Sequence, residues 1–283
     1  MIKNKPIVFD PLISKYMTKV FDYKKVSKYS IRGVKNYLKD KIPLTKADVV
    51  ICDTHLHEKY FHDQFDVEYS KMGVVHVGFI PEDFNPENRA STNDNSFRVG
   101  FYGTFNPLQG VDKIVGAAKI LREEKDIRFD IIGKGPLYNE INKLAKQENN
   151  LKNIHFHGLK PYDELGGMLN SFDICLGIFG DSIKTDIVIP NKIYHYAAVG
   201  KPIITKDTEG IREGFEHEKN IWLVENTSEA IAESIIKLKN DDSLRKSIAD
   251  QARETAEQNY TDIGVAREFL NVLAKHDLIL NKE

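Results

Sequence analysis

The chain has 283 residues, with 40 Lys+Arg against 42 Asp+Glu, two cysteines and 41% hydrophobic residues. That length supports a sizeable core and excludes a disordered chain, and a net charge of −2 excludes a protein that is basic throughout and coats nucleic acid. No run of 18 apolar residues occurs to span a bilayer, and the opening Met1-Ile-Lys-Asn-Lys-Pro6 predicts no signal peptide. In chain order, strands are expected at 7–9, 49–52 and 74–77, separated by a helical tract at about 12–40 and a shorter one at about 54–65. From residue 97 the alternation becomes regular. Strands are expected at 97–102, 129–132, 154–156, 173–178, 202–205 and 221–224, with helices at 111–123, 137–147, 161–170, 191–198 and 229–239. The stretch at about 241–280 reads as helices broken at 259–262, with Thr261 or Asp262 as N-cap. This is the pattern of an α/β protein with parallel sheets. Cys52 and Cys175 lie in apolar strand-like runs and read as buried free thiols of a reducing compartment, which predicts a cytoplasmic protein.

The six regular strands are enough for one complete doubly wound, Rossmann-like domain, placed at 96–262. Residues 1–95 hold three strands, which is thin for a second such domain, and the polar stretch 86–96 reads as the linker between them. Residues 263–283 are expected to form a C-terminal helix packing back towards the N-terminal part. Charge is uneven: residues 14–46 hold ten Lys/Arg and two Asp, a net +8, leaving −10 elsewhere. Apolar residues (Tyr16, Met17, Val20, Phe21, Tyr23, Val26, Tyr29, Val34, Tyr37) are interleaved with these cations. Such a tract suits an anionic membrane surface. It equally describes a solvated helix face whose apolar side packs on its own domain.

Several signatures fail. Gly133-Lys-Gly135-Pro lacks the third glycine of a dinucleotide fingerprint, no Walker loop follows Gly78, and no G-x-S-x-G elbow exists. His57 and His62 are five positions apart, about 500° of helix, so they do not share a metal-binding face. His155 and His157 have no ligand partner nearby in sequence, and both pairs read as structural. No D-x-D motif for a metal-bound diphosphate is present.

Three segments resemble phosphate and nucleotide machinery. In Val99-Gly-Phe-Tyr-Gly103-Thr-Phe-Asn-Pro-Leu-Gln-Gly110, a strand enters a glycine-bracketed loop that opens a helix. Phe129-Asp-Ile-Ile-Gly-Lys-Gly135-Pro repeats strand, glycine turn and helix. In Ile187-Val-Ile-Pro190-Asn191-Lys192, Pro190 suits the first turn of a helix that Gly200 ends. Each glycine turn alone is weak evidence, since α/β loops need glycines for steric reasons. Their order and spacing are more specific.

Together they resemble the donor-binding half of the family-4 glycosyltransferases, retaining GT-B enzymes. Gly103 and Gln109-Gly110 stand where that family has Gly-Arg and Lys-Gly, Ile132-Gly-Lys-Gly-Pro136 matches its Gly-x-Gly-Pro, and Tyr194-His-Tyr-Ala-Ala-Val-Gly-Lys-Pro202 matches its Glu-Ala-Met-Ala-x-Gly-x-Pro. Pro6-Ile-Val-Phe-Asp10, Lys46-Ala-Asp-Val-Val-Ile51 and Val74-Val-His-Val-Gly-Phe-Ile80 look like the later part of the acceptor half, so the chain is expected to lack the beginning of that domain. The family's Arg, Lys and two donor-contacting Glu fall on Thr104, Gln109, Ile187 and His195, so none of those four side chains is kept.

The resemblance implies transfer of a sugar, with retention, from a nucleoside-diphosphate sugar to a glycan or lipid-linked acceptor in surface polysaccharide or glycoconjugate synthesis. The alternative is a catalytically weak or inactive sugar-nucleotide-binding subunit of a split enzyme. It places the donor at Gly103, Thr104, Gln109, Gly110, Lys134, Gly135, Pro190, Asn191 and His195, with Lys192 and Lys184 supplying the charge that stabilises the leaving diphosphate. Backbone N–H groups at Gly103 and at the helix start near 191 would meet the same anion, and His195 a ribose hydroxyl. No metal and no further cofactor is expected. The implied partners are the donor, the acceptor, a second polypeptide completing the acceptor domain and an anionic membrane surface at residues 14–46, with a peripheral place on the inner membrane face.

Overall fold

Two all-parallel sheets carry the chain in this computed structural model, which describes residues 5–87, 95–147 and 151–278. The first sheet has the order β1-β2-β3, from β1 (Val8–Phe9), β2 (Val49–Cys52) and β3 (Met72–Val74). The second has the order β6-β5-β4-β7-β8-β9, from β4 (Phe97–Tyr102), β5 (Ile127–Ile132), β6 (Ile154–Gly158), β7 (Ile174–Leu176), β8 (Ile203–Lys206) and β9 (Trp222–Val224). Phe97–Tyr102 pairs residue for residue with Ile127–Ile132, so Val99 and Phe101 face one layer while Gly100 and Tyr102 face the other. On the first face lie α3 (Val111–Ile120), α4 (Tyr138–Gln147) and α9 (Ser228–Asn240), closing a core around Phe101, Ile114, Phe129 and Ile235. On the second lie α5 (Tyr162–Asn170), α7 (Asn191–Ala198) and α10 (Asp242–Asn259), around Phe172, Tyr194, Tyr196 and Ala252. This is the α/β, GT-B-like arrangement of parallel, helix-covered sheets.

The first sheet is covered on one face by α1 (Ile31–Lys46) and α2 (His55–Phe65), with Tyr16, Leu44, Val50, Phe61 and Phe65 in its core. Its other face is covered from the far end of the chain. α11 (Asp262–Lys275), capped by Thr261 through the Gly264 amide, lays Val272 against Val49 and Ile51. Gly73 on β3 permits this approach, because a Cβ there would stand 2.5 Å from a Val272 methyl.

Three sequence expectations shift. The strand expected at 74–77 is Met72–Val74, because β2 ends at Cys52 and the chain then leaves the sheet for Tyr260, whose carbonyl accepts from the Phe79 amide. The helical tract at 12–40 is two pieces. A π-helical segment, Met17–Asp22, ends before a turn with Lys24 at φ +49°, and α1 starts only where Ser30 caps the Gly33 amide. Two short helices were missed, α6 (Ile183–Ile187) and α8 (Glu209–Arg212). Of the expected linker, residues 88–94 lie outside the described residues.

Candidate functional site

Strand order in the second sheet reverses between β4 and β7, and a doubly wound sheet opens a ligand crevice at that point, beyond the strand C-termini. A cavity of about 350 Å³ lies there. The end of β4 contributes Tyr102, Gly103 and Thr104, the following loop Leu108 and Gln109, and the α6–α7 region Lys184, Pro190, Asn191 and Lys192. The opposite rim comes from the first domain, through Leu12, Ile13 and Asp53.

Lys192 is the most constrained group in this site. It is 4% exposed, and its Nζ donates to Gln109 Oε1 and lies 3.8 Å from the centroid of the Phe101 ring. Gly103 makes room for it, since a Cβ at 103 would stand 2.9 Å from both Nζ and Gln109 Oε1. Burial pushes the Lys192 pKa well below its ordinary value, and no carboxylate pairs with it among the described residues. Burial disfavours its charged form, and an anion entering the cavity would favour it. Pro190, the N-cap of α7, provides no side-chain cap, so the first-turn N–H groups beside Lys192 border the cavity at the positive end of the helix dipole.

Lys184 forms the second cationic wall. Burial lowers its pKa, opposed by the charges of Asp22 and then Asp53. Asp22, at the end of the π-helical segment, lies against Ser182 and Lys184; burial raises its carboxyl pKa against the pull of both. The first domain is tied down around the same cavity. The α2 N-terminus is closed by Glu213, whose Oε2 and Oε1 accept from the His55 and Leu56 amides at 2.7 and 2.8 Å, and Thr54 Oγ1 donates to the Ile187 carbonyl.

Seven of the expected residues therefore border one cavity: Gly103, Thr104, Gln109, Lys184, Pro190, Asn191 and Lys192. The other four do not. Gly110 packs on the Phe179 main chain and Gly135 on that of Phe105, while Lys134 lies over the Tyr138 ring. His195 is turned away, stacked on Phe84 at 3.9 Å with its Nδ1 taking the Tyr102 hydroxyl at 2.6 Å, and it lines a different, shallow cavity with Val77 and Tyr162. The expectation of a free Gly103 amide is also corrected, because that N–H donates to the Ile132 carbonyl at 3.0 Å. Gly103 contributes space, not a donor. Sequence reasoning missed Asp53. Its signal was an acidic residue directly after a strand, at the carboxyl end where α/β sites gather. Among the described residues no group of three or more His, Cys, Asp or Glu is arranged to hold a metal ion. His57 bonds Asp53 and His62 bonds the Val67 carbonyl.

A parallel two-sheet chain with a cationic crevice at its switch point defines a GT-B-like glycosyltransferase fold. Residues 83–255 match the family model of Glycosyl transferases group 1, more than half of the chain, and the chain belongs to that family. It is 27% identical over 222 residues to an uncharacterized glycosyltransferase of Methanocaldococcus jannaschii, covering 76% of this chain and 56% of the relative. It is 25% identical over 209 residues to the amylovoran biosynthesis glycosyltransferase AmsK of Erwinia amylovora, covering 72% and 51%. The chain thus spans about half the length of the curated relatives it matches. Among solved structures, Anabaena HepE in complex with UDP and glucose superposes with a TM-score of 0.77 at 16% identity, over 95% of this chain and 72% of that one.

Proposed function

We propose that the cavity between β4, β7 and α7 binds a nucleoside-diphosphate sugar. In a protein of the relatives' length, the sugar passes with retention, as in the family-4 enzymes, to a glycan or lipid-linked acceptor in surface polysaccharide or glycoconjugate synthesis. The observation that carries this reading is the buried Lys192 side chain, paired with no carboxylate among the described residues, at the open N-terminus of α7. Breaking the anomeric carbon–oxygen bond leaves negative charge on the diphosphate. A fixed ammonium, helix-terminal N–H groups and a second lysine, Lys184, lower the energy of that charge more than that of the intact donor. Where the resembled family places a lysine, this chain has Gln109, and Gln109 holds Lys192. The cation is thereby supplied from the opposite wall. Lysines and backbone dipoles carry the charge in this reading, without a metal. The name of AmsK supports the polysaccharide context, and HepE, crystallised with UDP and glucose, offers the same fold. We further propose a cytoplasmic chain attached peripherally to anionic membrane through the basic tract at residues 14–46.

A second reading is favoured by the replacement of four donor-site side chains. Thr104 is short, Gln109 is engaged by Lys192, Ile187 is apolar and His195 faces Phe84. The chain is then a weak or inactive sugar-nucleotide binder that acts with a second polypeptide. Incubation with UDP- and GDP-sugars, followed by proton NMR of the released or transferred sugar, separates the two. Initial appearance of the donor's own anomer is expected. The opposite anomer would contradict retention, and nucleotide binding without release would establish the second reading.

A further inference from the structure

We propose that Glu213 and Thr54 are positioning residues for the diphosphate site. Together they couple the docking of α2 on the second domain to the cavity wall that carries Lys184 and Lys192. This rests on the donor reading above. That wall is the connection from α6 to α7, where Val188, Ile189, Pro190 and Asn191 line the cavity between the two lysines. α6 has five residues, too few to be stable as a helix on its own, so its end must be fixed from outside.

It is fixed from two sides. On one side lies α8. A Cβ on Gly210 would stand 2.6 Å from the Ile187 carbonyl carbon and 2.7 Å from the Val188 nitrogen, so the two backbones touch. On the other side lies the first domain, whose fully buried Thr54 donates from Oγ1 to the Ile187 carbonyl. The end of α6 is thus held between a glycine of its own domain and a hydroxyl of the other.

α8 in turn reaches the first domain. Thr208 caps it by accepting from the Ile211 amide at 3.2 Å, and Arg212 pairs with Asp207 through Nε and Nη2. One residue further on, the Glu213 carboxylate takes the His55 and Leu56 amides of α2, one on each oxygen. Among the described residues no Lys, Arg or His pairs with Glu213, so the N-terminal dipole of α2 is its counter-charge. Glu213 does not line the cavity, so it reaches a bound nucleotide only through the backbone. Lifting α2 away would break both amide contacts and the Thr54 bond, and would free one side of Ile187. Conversely, a diphosphate held by Lys184 and Lys192 fixes the connection where Thr54 needs it. By linkage the two effects are equal in size.

Hydrogen exchange at the His55 and Leu56 amides, with and without saturating UDP, tests this beside calorimetric titration with UDP. In the wild type, UDP should slow exchange of these amides at least about fivefold. Glu213→Ala should weaken UDP binding by a similar factor and remove the effect of UDP on exchange. Thr54→Val should also weaken UDP, and Thr54→Ser, which keeps the hydroxyl, should recover most of that loss. The Thr54 pair carries the same comparison if Glu213→Ala does not fold. A tie that only stabilises the fold would lower the melting temperature of the variants and leave their UDP affinity unchanged. That result, or UDP slowing exchange as much in Glu213→Ala as in the wild type, overturns the proposal. Failure of wild-type protein to bind UDP overturns the donor reading instead.

Discussion

A lysine enclosed beside aromatic rings costs stability unless something offsets its charge, and among the described residues Lys192 Nζ meets only an amide oxygen, a backbone carbonyl and the Phe101 and Tyr102 rings. Such a residue is explained by a ligand more readily than by the fold. Sequence reasoning reached Lys192 through Pro190-Asn191-Lys192, but it could not see that Gly103 and Gln109 seat its amine, because that contact joins the loop after β4 to α7, 83 residues apart. His195 shows the opposite outcome. It stands at the right position in sequence, yet its neighbour across the fold is Phe84, and an aromatic face competed for it. Burial pushes its pKa down to about 4, so the folded protein holds a neutral imidazole near pH 7. The unfolded chain takes a proton near pH 6.5, so this contribution to stability is complete above that value and is lost as pH falls towards 4. Urea titration near neutrality and at about pH 4.5 should therefore show wild type losing about 2 kcal/mol more than His195→Gln. Equal losses would contradict the buried neutral state.

At the scale of elements, β4 to β9 were legible because apolar runs alternate with helical stretches and buried parallel strands leave that pattern whatever their loops do. The short helix α6 was not. Five residues carry too little periodicity, yet α6 brings Lys184 to the cavity and meets the π-helical segment of the other domain. The basic tract divides in two. Tyr16 and Met17 are buried and Val20, Phe21 and Tyr37 pack on the first core, as a helix serving its own domain would. On α1, however, Ile31 is 89% exposed, and Val34, Leu38 and Ile42 continue the stripe at helical spacing, with Tyr29 at 83% just before it. Lys24, Lys25, Lys28, Arg32 and Lys35 lie along the same stretch of chain. An apolar stripe among cations suits an anionic bilayer surface, where each cation contributes about 1 kcal/mol. Cosedimentation with anionic vesicles should fall at least about tenfold when Lys24, Lys25 and Lys28 are changed to Glu. Unchanged sedimentation would leave the stripe without that role.

At the scale of the molecule, the chain crosses between its two sheets twice, once near residue 79 and again after Tyr260, where α11 returns to cover the first sheet. The cavity proposed for the donor inherits walls from both domains, so its geometry depends on contacts such as Glu213 on α2 and Asp22 against α6. None of these has a local sequence signature; they arise only when the domains meet. The central claim is that this interdomain cavity receives a diphosphate at Lys192. Calorimetric titration of the wild type and of Lys192→Met with UDP, repeated in buffers of different ionisation enthalpy, tests it most directly. UDP should bind the wild type with net proton uptake, because the anion raises the depressed Lys192 pKa, and affinity should fall as pH rises through that pKa. Lys192→Met should bind at least about tenfold more weakly, without that uptake, and be no less stable than wild type. Equal UDP affinity in the two proteins, or no binding to either, would contradict the account.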